Sequence, residues 1–431
     1  MQSSSFLLIL YLISIYGYSF SRGFWSWPSF LVLSFCYLIF AISFFVKKKF
    51  VFGISGFEQI LPFIFLLNSL LFVLLFGAVY QVGGLALDLI KYVTPLVLLF
   101  SFIFLASLTT KGNLVKLSFF GLIVVAVVLK VMVLISSPSP RIDVFDMLAD
   151  GPKYLFFGKN PYSELYTQRY VGVMPDYFTY FPLAFLIFAP ADFLFSDPRV
   201  TYIVGDLICI FFLYKLVVLA KSKFKTTRYL IPLIFLYYPS GSFILEQSWL
   251  DGLLFTALVV FIYLEIHAKK FKKYSFLPLA LFLGIKQSLL IFLPFFLFYK
   301  KVKKTIILKA LVLIVFSVLP FVLWNFYDFY HDTIKFFLDY PPRYDSITVN
   351  SFFFYTFGQD IPKVFLYLIW GAVGLLMLVR AKKTWSGFLV SVTFFLFTFY
   401  FFNKLAFIHY YFLVSLLIFL AAILRYVEES K

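Results

Sequence analysis

The sequence predicts an all-α, polytopic transmembrane helical bundle, and three observations predict it. Apolar runs of about twenty residues recur along all 431 positions, the length a helix needs to cross a hydrocarbon core of roughly 30 Å. Apolar residue types make up 63% of the chain and charged ones 13%, against roughly a half and a quarter in soluble domains. Positive charge gathers in short clusters between the runs. Lipid offers the backbone no hydrogen-bond partner, so the runs must close their own bonds as helices.

The basic clusters order the elements. Six carry positive charge and no acid: Lys47–Lys49, Lys111 with Lys116, Lys221 to Arg228, Lys269 to Lys273, Lys300 to Lys304 and Arg380 to Lys383. Under the positive-inside rule all six are cytoplasmic. The net charge of +17 therefore reads as topology, and no nucleic-acid partner is expected. Spans are predicted near 6–20, 29–46, 57–80, 92–110, 117–136, 200–220, 229–245, 252–268, 306–326, 363–380, 386–402 and 408–425, with a half-helix pair over 275–299. That makes about 13–14 spans, the halves counted together or apart, with both termini cytoplasmic. The run from Phe6 to Phe20 lacks a basic leader and a small-residue cleavage site, so it reads as a span. Cys36 and Cys209 lie inside apolar runs and read as core residues.

Two inferences follow from that sidedness. One apolar stretch separates Lys273 from Lys300, yet both flanks belong on the same side. Two half-helices meeting near Gly284-Ile285-Lys286-Gln287-Ser288 satisfy this, because irregular backbone is tolerated at depth where protein buries it. The stretch from Tyr177 to Phe195, interrupted by Pro182 and Pro190, reads as an amphipathic external surface helix, with a span as the alternative.

Polar chemistry collects in the external connections. Residues 137–199 hold seven acids against five bases, and residues 327–362 hold five against two. Asp143 follows the span at 117–136 directly, and Asp146 and Asp150 share its face if a helix continues. A carboxylate held there suits a general base acting on a hydroxyl; the alternative is a solvated acidic loop. Lys286 stands at the tip of the half-helix pair with no acid near it in sequence. A cation at such depth suits a phosphate group, and the alternative is a side chain snorkelling to headgroups. Asn403-Lys404, His409-Tyr410, Arg343 with Asn350-Ser351, and Glu246, Gln247, Trp249 and Asp251 fall on the same side. Three His and two Cys argue against a transition-metal centre.

These residues resemble the GT-C membrane glycosyltransferases, nearest the α-mannosyltransferase branch that includes the first mannosyltransferase of GPI-anchor synthesis and bacterial polyprenol-phosphate-mannose enzymes. The likeness rests on Asp143, on Gly158-Lys159-Asn160-Pro161-Tyr162, on Tyr180-Phe181-Pro182-Leu183 and on Tyr237-Tyr238-Pro239 running to Gln247. It continues through Gly284-Ile285-Lys286-Gln287, Arg343 with Asn350-Ser351, and Phe402-Asn403-Lys404 followed by His409-Tyr410-Tyr411-Phe412. His409 stands where the GPI enzyme has Gln. The resemblance covers roughly residues 117–425 and implies a catalytic transmembrane region at 117–431, with external loops 137–199 and 327–362, leaving 1–116 as N-terminal helices without an assigned role.

The resemblance implies a GT-C bundle carrying external surface helices, and inverting transfer of a hexose, mannose in the nearest branch, from a polyprenyl-phosphate donor to a lipid or glycan acceptor. Asp143 would be the base. Lys286, Arg343 and Lys404 would meet the donor phosphate. Asp146, Asn160, Tyr162, Tyr180, Gln247, Gln287, Asn350, Asn403, His409 and Tyr410 would line the substrate. No cofactor is implied, and a divalent metal is compatible. The implied location is a prokaryotic plasma membrane with the site outside, or the ER membrane. Glucose or arabinose donors, and a transporter or lipid flippase, are the competing readings.

Overall fold

A computed structural model describes residues 2–46, 54–109, 113–167, 176–220, 226–267, 270–381 and 383–430. Lys47–Lys49, Lys111, Lys221 to Lys225, Lys269 and Lys382 lie outside the described residues. The helices are α1 (Ser4–Ser19), α2 (Trp27–Ile42), α3 (Ile54–Leu74), α4 (Leu85–Ser107) and α5 (Leu114–Ser136). A first long connection carries α6 (Asp143–Phe156) and α7 (Leu183–Phe195). Then come α8 (Val200–Val218), α9 (Thr227–Leu236), α10 (Gly241–Glu246), α11 (Asp251–His267), α12 (Phe276–Gly284), α13 (Leu293–Phe298) and α14 (Lys304–Trp324). A second connection holds α15 (Phe326–Tyr330), a π turn His331–Lys335, α16 (Phe336–Asp339) and α17 (Val349–Phe357). The chain closes with α18 (Lys363–Arg380), α19 (Trp385–Phe401) and α20 (Ile408–Glu429). Among the described residues the only β pairing is one isolated bridge, Phe24 with Ser346.

Among the described residues seven helices are long and apolar enough to cross a membrane, and the bent pair Lys272–Gly284 with Gln287–Phe298, angled at 120°, is an eighth candidate. The polytopic helical bundle is thus the observed fold. Shorter apolar helices, α1, α2 and α19 among them, pack within it. Helix starts follow local chemistry: the hydroxyls of Ser3, Ser26, Thr348 and Thr384 accept the N–H of Phe6, Ser29, Ser351 and Gly387, satisfying donors the first turn leaves free. The core runs along α20, buried through most of its length between α1, α19 and α11.

Described residues flanking the basic clusters meet at one end. Arg380 donates to the Phe44 carbonyl at 3.0 Å, Ser107 meets Ser118, and Tyr229 packs on Phe119 and Tyr214. Trp385 packs on both Tyr299 and Phe261, while Glu265 accepts from Ser275. The two arms of the bent pair therefore leave and return at this basic end, as a re-entrant pair does. The long connections gather at the opposite, loop end. The N-terminal helices are woven into the rest: α1 packs on α20, and α3 packs on α9.

Two expectations need correction. The predicted span at 229–245 breaks into α9 and α10, because Pro239 cannot extend the ladder and Ser240 takes a left-handed φ of +65°. The helix at 183–195 is not amphipathic: Leu186, Phe193, Leu194 and Phe195 are exposed while its single acid, Asp192, points inward to Lys153 at 3.5 Å. At 13 residues it reaches about 20 Å, too short to span, and its outward face fits contact with lipid rather than water.

Candidate functional site at the loop end

The site is built where three irregular segments are stitched together. The backbone N–H of Phe181 donates to the Ile285 carbonyl at 3.2 Å. The Gln287 amide donates to the carbonyls of Thr179 and Thr333, both at 2.8 Å. The Phe178 N–H donates to Asp332 at 2.6 Å. The tip of the re-entrant pair is thus pinned to the first external connection on one side and to the π turn of the second on the other. A π turn commonly marks a functional site; here it turns Asp332 and Thr333 inward, both about 1% exposed.

Asp143 opens α6, as the sequence suggests. Its Oδ1 accepts the Val144 N–H at 2.8 Å and its Oδ2 accepts the Tyr177 hydroxyl at 3.2 Å. Burial pushes its pKa up, against those two donors, and the charge of nearby Asp146 adds to the rise. A carboxylate so raised is a better proton acceptor than a solvated one. Asp146 is buried beside it. Asp150 turns to Lys153 at 3.6 Å, and the same ammonium reaches Asp192.

Lys286 is not the lone cation its sequence context suggests. Its Nζ lies 3.3 and 3.2 Å from the two oxygens of Asp251, the first residue of α11, and 4.8 Å from the centre of the Tyr410 ring. Asp251 is far away in sequence, and the bend brings the pair together. Their side chains are 9% and 0% exposed. His409 packs between Trp249 and Tyr410, with centroids at 4.6 and 4.0 Å, and its Nδ1 is buried without a partner. Tyr180 joins the two halves: burial raises its phenol pKa, and the carboxylates of Asp143 and Asp251 add to the rise.

Arg343 and Lys404 form a neighbouring group. Arg343 makes a bidentate pair with Asp345 at 2.9 and 2.6 Å, donates to Tyr340 and covers the Phe407 ring. The Lys404 ammonium donates to the carbonyls of Leu338 and Tyr340. Both cations hold the loop at 338–345. Phe336 packs on both Tyr340 and Tyr177, with centroids at 5.2 and 4.4 Å, which joins that loop to the site.

Other residues singled out by sequence serve the framework. Asn160 caps the turn at Tyr162, and Tyr162 donates to the Tyr180 carbonyl at 2.8 Å amid Phe178, Phe321 and Phe329. Asn350 ties down Asp360 and Ile361. Asn403 accepts the Lys404 N–H. Gln247 donates to Glu246 at 3.1 Å. That fully buried carboxylate also accepts the N–H groups of Val79 and Tyr80 and the hydroxyl of Ser137, anchoring the α3–α4 connection.

The sequence reading missed Asp251 as the partner of Lys286, and it missed a second pair, the buried Lys130 of α5 with the half-buried Asp206 of α8. A signal for the latter existed: opposite charges inside two apolar runs, six residues from the loop ends of α5 and α8. Among the described residues no group of His, Cys, Asp and Glu is placed to hold a metal. An apolar crevice of about 360 Å³, lined by Phe276, Leu308, Lys309 and Phe316, lies toward the basic end, away from this chemistry. No protein-family model, curated protein or solved structure matches the chain.

Proposed function

We propose that the chain is a membrane glycosyltransferase that moves a hexose, mannose in the nearest resemblance, from a polyprenyl-phosphate donor to a lipid or glycan acceptor. The observation that carries the reading is that the segment 177–181 meets the half-buried carboxylate Asp143 through the Tyr177 hydroxyl and, through the Phe181 N–H, the carbonyl of Ile285 next to the buried cation Lys286, at the end opposite the basic clusters. Positive-inside sidedness puts that end outside a plasma membrane, or in the ER lumen.

In this mechanism Asp143 takes the proton of the acceptor hydroxyl as its oxygen bonds to the anomeric carbon. The bond from that carbon to the phosphate oxygen breaks, and the lipid phosphate departs with one more negative charge. Lys286 stabilises that charge in a water-poor layer, where a fixed cation is worth most. Arg343 and Lys404 shape the adjoining loop. The test is transfer by reconstituted protein from labelled polyprenyl-phosphate mannose, glucose and arabinose to lipid acceptors. Transfer from one donor, reduced about 10²- to 10⁴-fold in Asp143→Asn, is expected; no transfer from any donor overturns the reading.

A second reading, lipid translocation, is favoured by the Lys130–Asp206 pair, since ionisable groups within spans often mark a substrate path. A flipping assay in proteoliposomes that is lost in Lys130→Gln but kept in Asp143→Asn would select it.

A further inference from the structure

We propose that Asp251 is a positioning residue that latches Lys286 in the empty site and releases it to an incoming phosphate group; the inference rests on the glycosyltransferase reading and adds a partner to its cation. Four features support the latch. First, Lys286 sits in extended backbone (φ −124°, ψ 112°) between two helical arms, so its side chain can swing without unwinding a turn. The backbone around it is held by the Phe181–Ile285 and Gln287 bonds, so the motion is confined to the side chain.

Second, the ammonium lies between a carboxylate and the Tyr410 ring. That ring is only partly buried, so the pair is one aromatic layer from the loop-end surface. Third, the unpartnered Nδ1 of His409, nine-tenths buried, belongs to a ring packed against the same Tyr410 ring that Lys286 covers. A phosphate oxygen or its hydroxyl would give it the bond it lacks. Fourth, Asp251 is the first residue of a 17-residue helix, where the macrodipole favours negative charge. Its carboxylate therefore keeps a stabilising partner when Lys286 departs, which an isolated buried acid would not have. The empty pair is neutral, and the phosphate takes over the cation only while it occupies the site.

Binding titrations of purified protein with polyprenyl monophosphate, uncharged polyprenol and inorganic phosphate test this. Asp251→Asn frees Lys286, so polyprenyl phosphate should bind about tenfold more tightly and restore the thermal stability this variant loses, while polyprenol should not. Lys286→Gln should lose the phosphate-dependent part of binding. Lys286→Arg keeps a folded pair whose forked geometry grips Asp251 more firmly. The latch predicts about tenfold weaker phosphate binding for it, whereas a plain anion site predicts equal or tighter binding, so this variant decides the matter even if Asp251→Asn does not fold. Inorganic phosphate that binds as well as the lipid would assign the site to free phosphate. Equal affinities in wild type, Asp251→Asn and Lys286→Arg overturn the latch. Binding that follows the latch without sugar transfer would overturn the glycosyltransferase reading alone; transfer that is indifferent to Asp251 would overturn the latch alone.

Discussion

Two ion pairs of this bundle, Lys130–Asp206 and Lys286–Asp251, are suited to different jobs, and the backbone around each says why. Lys130 and Asp206 project from uninterrupted turns of α5 and α8. About two turns nearer the loop end, Arg199 donates to the Ser137 carbonyl and chelates Asp197, so the same two helices are also joined at the base of the first external connection. Lys286, by contrast, leaves a break between helical arms, and its partner Asp251 stands at a helix start. A pair between regular helices has one geometry and acts as a staple. A pair at a helix break faces irregular backbone, partly buried rings and an orphaned imidazole nitrogen, and can exchange partners.

The largest effect should come from splitting the staple. Lys130→Leu leaves Asp206 uncompensated and should cost about 3–5 kcal/mol in thermal or denaturant unfolding, while the double change Lys130→Leu with Asp206→Leu recovers most of it and leaves transfer per folded molecule unchanged. Loss of transfer in the double variant would erase the distinction between the pairs. Next, Glu246→Gln removes a charged acceptor from the Val79 and Tyr80 N–H groups. It should cost about 1.5–3 kcal/mol and raise proteolysis or hydrogen exchange within the α3–α4 connection. A uniform rise in exchange across the bundle would contradict that local role.

Smaller again is Gly284→Ala. Its methyl would fall 2.6 Å from Ile314 and 2.9 Å from Leu183, so about 1–3 kcal/mol is lost by overpacking at the bend, and polyprenyl-phosphate binding should weaken with it. The smallest effect is a pH dependence. Burial pushes the Asp332 carboxyl up to about 7, above its unfolded value, so the folded form holds the proton more tightly. Its contribution to stability is complete below the unfolded pKa and is lost as pH rises through about 7. The melting temperature of the wild type should fall between pH 5 and pH 8 by a few degrees more than that of Asp332→Asn; parallel curves would refute the assignment.

Much of the fold was legible because lipid leaves few options. Apolar runs had to be helices, and two basic clusters around one run required the bend at Lys286. The break at Ser240 was written in Tyr238-Pro239-Ser240-Gly241 but hidden by the apolar residues on either side. The outward face of α7 was misread because Pro182 and Pro190 signal a surface without saying whether water or lipid meets it. Of the candidate site, the half-buried Asp143 at the start of α6 could be read from its place just past a span. Its hydrogen bond from Tyr177, the ion pair of Lys286 and the pinning of Gln287 could not, because each joins segments far apart in the chain. Asn160, Asn350 and Asn403 drew notice as polar groups in the right layer; only their partners reveal that they hold loops.

The packing of α1 on α20 also sets a schedule for biogenesis. Ser4 bonds Glu429 across 425 positions, and Tyr18 meets Ser415. At about 5–20 residues per second, α1 is made roughly 20–85 s before α20 can reach it. During that interval its buried hydroxyls must find lipid headgroups, water or an insertion chaperone. A cell that makes this protein therefore holds, in every round of synthesis, a membrane intermediate in which α1 still lacks its partner α20.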